Sequence, residues 1–249
     1  MKVIDVYKII DKIAPFENQC DFDNAGFLAG DRNAEVTGAV VTLDCTDGAV
    51  DYAIKNNANL IITHHPVIFD PLKNVMSGSV LARLIKNDIS VISAHTNLDF
   101  SKGGINDTLC SLLHLKKIKR YGEYKFDVFE LRIGETEPIT AAEFAEKLKR
   151  IFNIPIKYND SGNIIKKVAV CSGSGGSFSE RAKKHHADAL VTADIRHNQF
   201  MLADNLKISL FDCGHYNTEN IIVNPLCEVL KNAVDFPLFP CDSEIIKYC

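Results

Sequence analysis

The sequence has no excess of basic residues, no closely spaced cysteine pair and no long apolar run. Its 28 Lys and Arg against 32 Asp and Glu leave a formal charge of -4, so it lacks the basic footprint that a nucleic-acid backbone requires. The basic residues are scattered apart from Lys116, Lys117, Lys119 and Arg120, a cluster that reads as the solvated end of a helix. Eight cysteines run from Cys20 to Cys249 without one C-x-x-C pair. In a chain of 249 residues that scatter argues for the reduced thiols of a cytoplasmic protein, against a disulfide framework or a thiolate zinc site. The opening MKVIDVYKIIDKIAPF carries Asp5 and Asp11 inside its apolar pattern. It therefore reads as an amphipathic helix and not as a signal peptide. No apolar stretch is long enough to span a bilayer. The G-x-S-x-G elbow, the phosphate-binding G-x-x-x-x-G-K-[ST] loop, the dinucleotide glycine spacing and any cysteine-nucleophile motif are missing too, which removes the commonest routes to acyl transfer and nucleotide cradling.

What is present is an alternation of apolar runs and helical patterns. AVVTLD (39–44), LIIT (60–63) and ISVIS (89–93) read as strands, and TDGAVDYAIKNNAN and LARLIKND between them read as helices. This spacing predicts an α/β unit with a mostly parallel sheet. The second half repeats the order. KVAV precedes a glycine-rich turn, SERAKKHHADA reads as a helix, LVTAD as a strand, NQFMLADNL as a helix, and KISLFDCGHYNTE as a strand with its exit. FDVFELRIGETEP and TAAEFAEKLKRIF open this second copy as a strand and a helix. Laid side by side, ANLIITHH falls on ADALVTAD and SAHTNLD on CGHYNTE, so that His95/Asp99 and His215/Glu219 share an H-x-x-x-acid spacing. An internal duplication accounts for this better than chance. The boundary between the lobes is expected near Gly122, with no Pro- or Ser-rich linker, and the two lobes are expected to pack as one unit.

His64 and His65 stand where an apolar strand breaks off, followed at once by Pro66. Open α/β sheets place ligands at the carboxyl ends of their strands, and His64, His65, Asp99, His215 and Glu219 all lie at such exits. Three imidazoles and two carboxylates form a mixed nitrogen/oxygen set suited to divalent ions such as zinc, manganese or iron. Five residues with one bridging carboxylate are enough for two ions. The doublet His185-His186 sits in a polar helical pattern and is expected to face solvent. His114 reads as a surface residue, and His197 sits at the exit that matches the His64 loop. DNAGFLAGD (23–31) is either a wall of the cleft or a hairpin. CSGSGGSF (171–178) is either a plain tight turn or an anion-receiving helix start.

DNAGFLAG, ITHHPVIF, AHTNLDF, SGSGG, TADIRHNQF and GHYNTE, in this order between residues 23 and 219, resemble the successive signature blocks of the Nif-three-like family. Its bacterial members carry the name GTP cyclohydrolase 1 type 2 homolog. The resemblance covers nearly the whole chain, in the short bacterial form. Where relatives often have a tryptophan just before the D-N-x-G block, this chain has Phe22. The resemblance implies an α/β fold of two intertwined lobes built from duplicated repeats with mixed, mostly parallel sheets. Lobe one would cover about 1–122 and lobe two about 123–249 of a single domain. It also implies two divalent metal ions per subunit and a homohexamer. Carried over residue by residue, His65 and Asp99 would hold one ion, His64 and His215 the other, and Glu219 would bridge them. His95 is left beside the ions as a candidate proton relay. Two functional classes follow. One is a metal-dependent hydrolase acting on a nucleotide-like substrate, such as opening the imidazole ring of GTP. The other is a metal-storing, metal-delivering or scaffold protein without catalysis.

Overall fold

A computed structural model describes residues 1–122 and 130–248. In chain order the helices are α1 (Val3–Ile13), α2 (Asp47–Lys55), α3 (Val80–Lys86), α4 (Thr96–Phe100), α5 (Ile105–Leu112), α6 (Ala141–Phe152), α7 (Ser179–Lys184), α8 (His197–Leu206), α9 (His215–Glu219) and α10 (Val223–Lys231). The strands are β1 (Gly26–Ala29), β2 (Ala39–Thr42), β3 (Leu60–Thr63), β4 (Ser90–Ser93), β5 (Lys116–Tyr121), β6 (Leu131–Ile139), β7 (Lys157–Tyr158), β8 (Ile165–Val170), β9 (Ala189–Thr192), β10 (Ser209–Asp212) and β11 (Leu238–Pro240). The first residues of the expected strand FDVFELRIGETEP, 126–129, lie outside the described residues.

The fold is mixed α/β with two mixed sheets. One compact unit comprises Met1–Lys102 with Ile222–Ile245; the other comprises Gly103–Ile221 and the residues from Ile246 onward. Compactness therefore groups the chain differently from a cut at Gly122, and the chain leaves the first unit, returns to it and ends in the second. Pairing and packing explain the difference. β11 adds parallel to β2 and so ties 222–245 to the first sheet. β5 pairs antiparallel with β6, and Leu109 of α5 is buried with Phe144, Leu148 and Phe211, so both belong with the second.

The first sheet has the order β1-β4-β3-β2-β11, with only the β1 edge antiparallel. β2, β3 and β4 are buried at every position, as expected of parallel strands covered on both faces. Val40, Ile61 and Val91 pack on one face with Val50 and Ala53 of α2 and Leu84 of α3. Thr46 and Ser79 start these helices, each accepting the backbone N–H three residues on.

The second sheet runs β5-β6-β8-β9-β10-β7. Its parallel centre β8-β9-β10 is flanked by antiparallel β6 and β7. Successive side chains of a strand point to opposite faces, and the two cores separate on that rule. Val168, Val170, Val191 and Phe211 join α5 and α6 on one face. Ala169, Leu190 and Leu210 join α7 and α8 on the other. The duplication is visible in this topology: β2-β3-β4 and β8-β9-β10 are matching parallel triplets, each closed at its outer edge by a preceding antiparallel strand.

Two local expectations change. Lys116–Arg120 lie in strand β5, not at a helix end, because β6 offers them an antiparallel partner. The SERAKKHHADA helix stops at Lys184, with His185 as its cap and His186 in the left-handed region at φ 63°. His186 is exposed, whereas His185 is only half-buried and packs against Tyr121. His114 is exposed, as expected. No helix among the described residues is long and apolar enough to cross a membrane.

Candidate metal centre

In the first unit the ends of β3 and β4 carry four of the expected residues. His64 and His65 follow β3 directly; their N–H groups bond the carbonyls of Thr42 and Leu43 and so extend the parallel ladder past the strand end. His95 precedes α4 and Asp99 lies within it. Ligand nitrogens of His64, His65 and His95 lie within 4.8 Å of one another, a spacing that one ion could span. The rings are 4.9 to 5.5 Å apart between centroids. His64 Nε2 and Asp99 Oδ1 are 3.7 Å apart, and both residues are buried.

The orientation of each imidazole is set by its other nitrogen. His64 Nδ1 lies 2.8 Å from the Ala94 carbonyl, His65 Nδ1 2.7 Å from Asp44 Oδ1, and His95 Nδ1 2.7 Å from Asp23 Oδ1. In the second unit His215 Nδ1 lies 2.7 Å from Asp194 Oδ2. A carbonyl can only accept, so His64 donates from Nδ1 and presents its Nε2 lone pair. The carboxylates likewise accept from Nδ1 of His65, His95 and His215, which leaves Nε2 of His65 and His95 as the outward nitrogen and sets Nε2 of His215 toward Glu219. This is how proteins orient metal-ligating histidines. Asp44, Asp23 and Asp194 thus orient these rings, and the sequence reading missed them. The available signal was positional: Asp44 closes VVTLD and Asp194 closes LVTAD, both at strand exits, and Asp194 occupies the place that His65 holds in the first copy. Burial works to raise the Asp23 carboxyl, but hydrogen bonds from His95 and Thr96 outweigh it and hold Asp23 below its ordinary value.

In the second unit His215 and Glu219 occupy one turn of α9, with Nε2 and Oε2 2.9 Å apart. Burial works to lower the His215 pKa, yet the hydrogen bonds and charges of Glu219 and Asp194 prevail and hold it at about 9, against an ordinary 6.5. In the metal-free chain this imidazolium stabilises the fold fully below about pH 6.5, and that contribution is lost as pH rises through about 9. The melting temperature of chelator-treated protein should accordingly fall across that window, and Glu219→Gln should flatten the fall. A pH-independent difference between the two proteins would reject the ion pair.

The SGSGG turn serves this carboxylate. Gly173 has φ +58°, and a Cβ there would meet Glu219 Oε1 at 2.3 Å and His215 Cε1 at 3.4 Å. Gly173→Ala would add left-handed strain of roughly 1 kcal/mol and push Glu219 out of place. It should lower metal content more than thermal stability, which metal counting and a melting curve would resolve together. Full metal occupancy in this variant would show that the turn does not shape the site.

The two H-x-x-x-acid segments are not in structural register. Ala94 N–H bonds Thr63 O, and Cys213 N–H bonds Thr192 O, marking equivalent places in the two copies. Counting on, His95 matches Gly214 and Thr96 matches His215: the His95 carbonyl caps the Asp99 N–H, and the Gly214 carbonyl caps that of Thr218. The side-by-side match of HTNLD with HYNTE therefore slips by one residue. Gly214, at φ +74° with Asn217 and Ile154 crowding its Cβ position, takes the place of His95. His197 begins α8 and is exposed, and it is in no metal-holding group among the described residues.

Comparisons with known proteins agree with this architecture. A family model described as Duf34/NIF3 (NGG1p interacting factor 3) matches residues 1–245. The chain is 37% identical to the GTP cyclohydrolase 1 type 2 homolog of Clostridium acetobutylicum, covering 100% of this chain and 98% of the relative. It is 35% identical to the homolog of the same name from Clostridium perfringens, over 94% of this chain and 93% of the relative. Among solved structures, the Staphylococcus aureus hypothetical protein SA1388 superposes with a TM-score of 0.91 at 26% identity, covering 100% and 99% of the two chains. Reduced HcgD from Methanocaldococcus jannaschii superposes with a TM-score of 0.83 at 28% identity, covering 96% and 97%. With a whole-chain family match, close relatives and a shared fold, the chain belongs to the DUF34/NIF3 family.

Proposed function

We propose that this protein is a dinuclear divalent-metal hydrolase acting on a nucleotide-like substrate. His64, His65, Asp99, His215 and Glu219 would be its metal ligands and Glu219 the bridge. One observation carries the reading: four histidines each engage an oxygen through Nδ1 at 2.7 or 2.8 Å, which directs Nε2 toward a ligand. A histidine serving only the core would have no need of this uniform choice. The mixed nitrogen/oxygen donor set fits zinc, manganese or iron. Bound divalent ions supply Lewis acidity, which makes water an effective nucleophile at neutral pH.

The chain's own groups complete the site. Asp23 holds the His95 ring by Nδ1, so Nε2 can take or give a proton at the reacting centre. The ring of Phe69 lies 6.1 Å from that of His95, and Phe22 6.4 Å from Phe69; both are exposed, and together they offer an apolar rim for a purine-like ring. Nothing in these residues selects guanine; the name of the curated relatives is the support for a GTP-like substrate. A homohexamer and a cytoplasmic location belong to the same reading. Among the described residues the thiols from Cys20 to Cys241 are all free, which supports the latter.

Metal analysis of anaerobically purified protein, followed by a nucleotide screen with and without chelator, tests the proposal. Two ions per chain and a chelator-sensitive hydrolysis are expected. Turnover that survives metal removal would overturn it. Tightly held metal with no turnover of any nucleotide would favour the storage or delivery reading instead.

A further inference from the structure

In the second unit, the sheet face that carries α7 and α8 continues past the end of α7 into a cavity of about 140 Å³. Strand register explains which side chains line it. Lys119 lies opposite Ile133, Tyr121 opposite Leu131, and Glu135 opposite Lys167. Residues directly opposite one another, and alternate residues along a strand, share a face. Lys119, Tyr121, Glu135 and Lys167 therefore project together. An irregularity in the ladder between Lys116 and Lys119 brings in a third ammonium. It places Lys117 at φ 51°, an uncommon backbone state for a lysine, with its Nζ 2.7 Å from Glu135 Oε2. His185, the cap of α7, closes one side with its ring 4.2 Å from that of Tyr121, the planes inclined at 30°.

Three ammonium groups thus face one carboxylate. The hydrogen bond from Lys117 and the charges of Lys117, Lys167 and Lys119 all hold the Glu135 carboxyl below its ordinary value, which places all three within electrostatic reach of it. Lys119 and Lys167 form no ion pair of their own within 4 Å among the described residues. Concentrated charge of one sign costs stability unless an anion offsets it. Lysines act on phosphate as point charges with rotatable donors, and they need no rigid geometry to do so. The tyrosine and histidine packed beside them add a hydroxyl and a ring nitrogen as further polar partners.

We propose that this cavity is a phosphate-binding site, taking inorganic phosphate or the phosphate of a small monoester, and that it is separate from the residues assigned to metal. It accounts for Lys117 and Lys119 of the basic cluster and for His185, none of which the proposed hydrolase uses. The test is calorimetric titration of the full-length, chelator-treated protein with inorganic phosphate and with ribose 5-phosphate at constant ionic strength. Saturable binding of at least one probe is expected, weakened at least about tenfold in the double variant Lys119→Gln/Lys167→Gln. It should be unchanged in Lys8→Gln/Lys55→Gln, which removes the same charge from exposed positions in the other unit. Both lysine pairs are exposed, so melting curves should confirm that each variant folds. Whichever probe binds more tightly names the source of the phosphate, and either ranking supports the site if the first variant loses it. No saturable binding of either probe would overturn the proposal. So would binding that survives Lys119→Gln/Lys167→Gln, or binding that falls equally in the control. Because the titration is done without metal, its result does not depend on whether the hydrolase reading is correct.

Discussion

If the proposed dinuclear centre is present, Glu219→Gln should strip the protein of most of both metal ions, whereas His64→Ala should empty mainly one. Glu219 is 3% exposed and lies 2.9 Å from His215 Nε2, so its charge acts where solvent screens little. The amide of glutamine keeps the shape and loses that charge. Its NH2 group also cannot accept a hydrogen bond or ligate, so at most one oxygen remains for any ion. Loss of an orienting partner alone typically costs 10- to 100-fold in metal affinity, and loss of a shared ligand should exceed about 100-fold. His64 is tied to the Ala94 carbonyl through Nδ1, and its removal leaves His215 and Glu219 intact. Metal counting on the two purified variants separates the roles. Equal and partial loss in both would remove the special place given to Glu219, and full occupancy in Glu219→Gln would end the bridging assignment.

The second large effect is expected at His95. The Asp23 side chain, fully shielded from solvent, receives the His95 ring at 2.7 Å, the Thr96 N–H at 3.0 Å and the Thr96 hydroxyl at 2.5 Å. This fixes the ring with Nε2 toward His64 and His65, where it can relay a proton or ligate. His95→Asn retains a hydrogen-bonding side chain and cannot carry a proton between pH 5 and 9. A relay predicts full metal content with turnover reduced roughly a hundredfold or more. The grouping of His95 with His64 and His65 within ligand reach of one another makes the competing outcome concrete: if His95 ligates, the variant loses metal in proportion to activity. Measuring metal content and rate on the same preparation decides between them, and a variant normal in both would remove His95 from the mechanism.

The repeat shows how far pattern could be read from the chain. The alternation of apolar strands and helical spacing led to the parallel triplets β2-β3-β4 and β8-β9-β10, because a strand buried on both faces reads as a near-continuous apolar run. The antiparallel edges, and the return of Ile222–Ile245 to the first unit, had no comparable signal. Edge pairing depends on which segment arrives beside an open strand, and that is a long-range event. The slip that sets His95 opposite Gly214 was likewise hidden, since matching by residue type rewards His on His whatever the hydrogen bonds do.

The sequence by itself determined the strand exits at His64-His65, His95 and His215, because an apolar run that gives way to polar residues marks where a buried strand ends. It also determined the chemical character of the candidate site, a set of nitrogen and oxygen donors without thiolates. Only the tertiary structure decided which nitrogen each imidazole presents. Asp23, Asp44 and Asp194 stand 72, 21 and 21 residues from the rings they hold, and no local pattern links residues so far apart. It decided the role of Gly173 for the same reason: the positive φ is a local property, but the carboxylate that leaves no room for a Cβ belongs to a helix 46 residues farther along the chain, at Glu219.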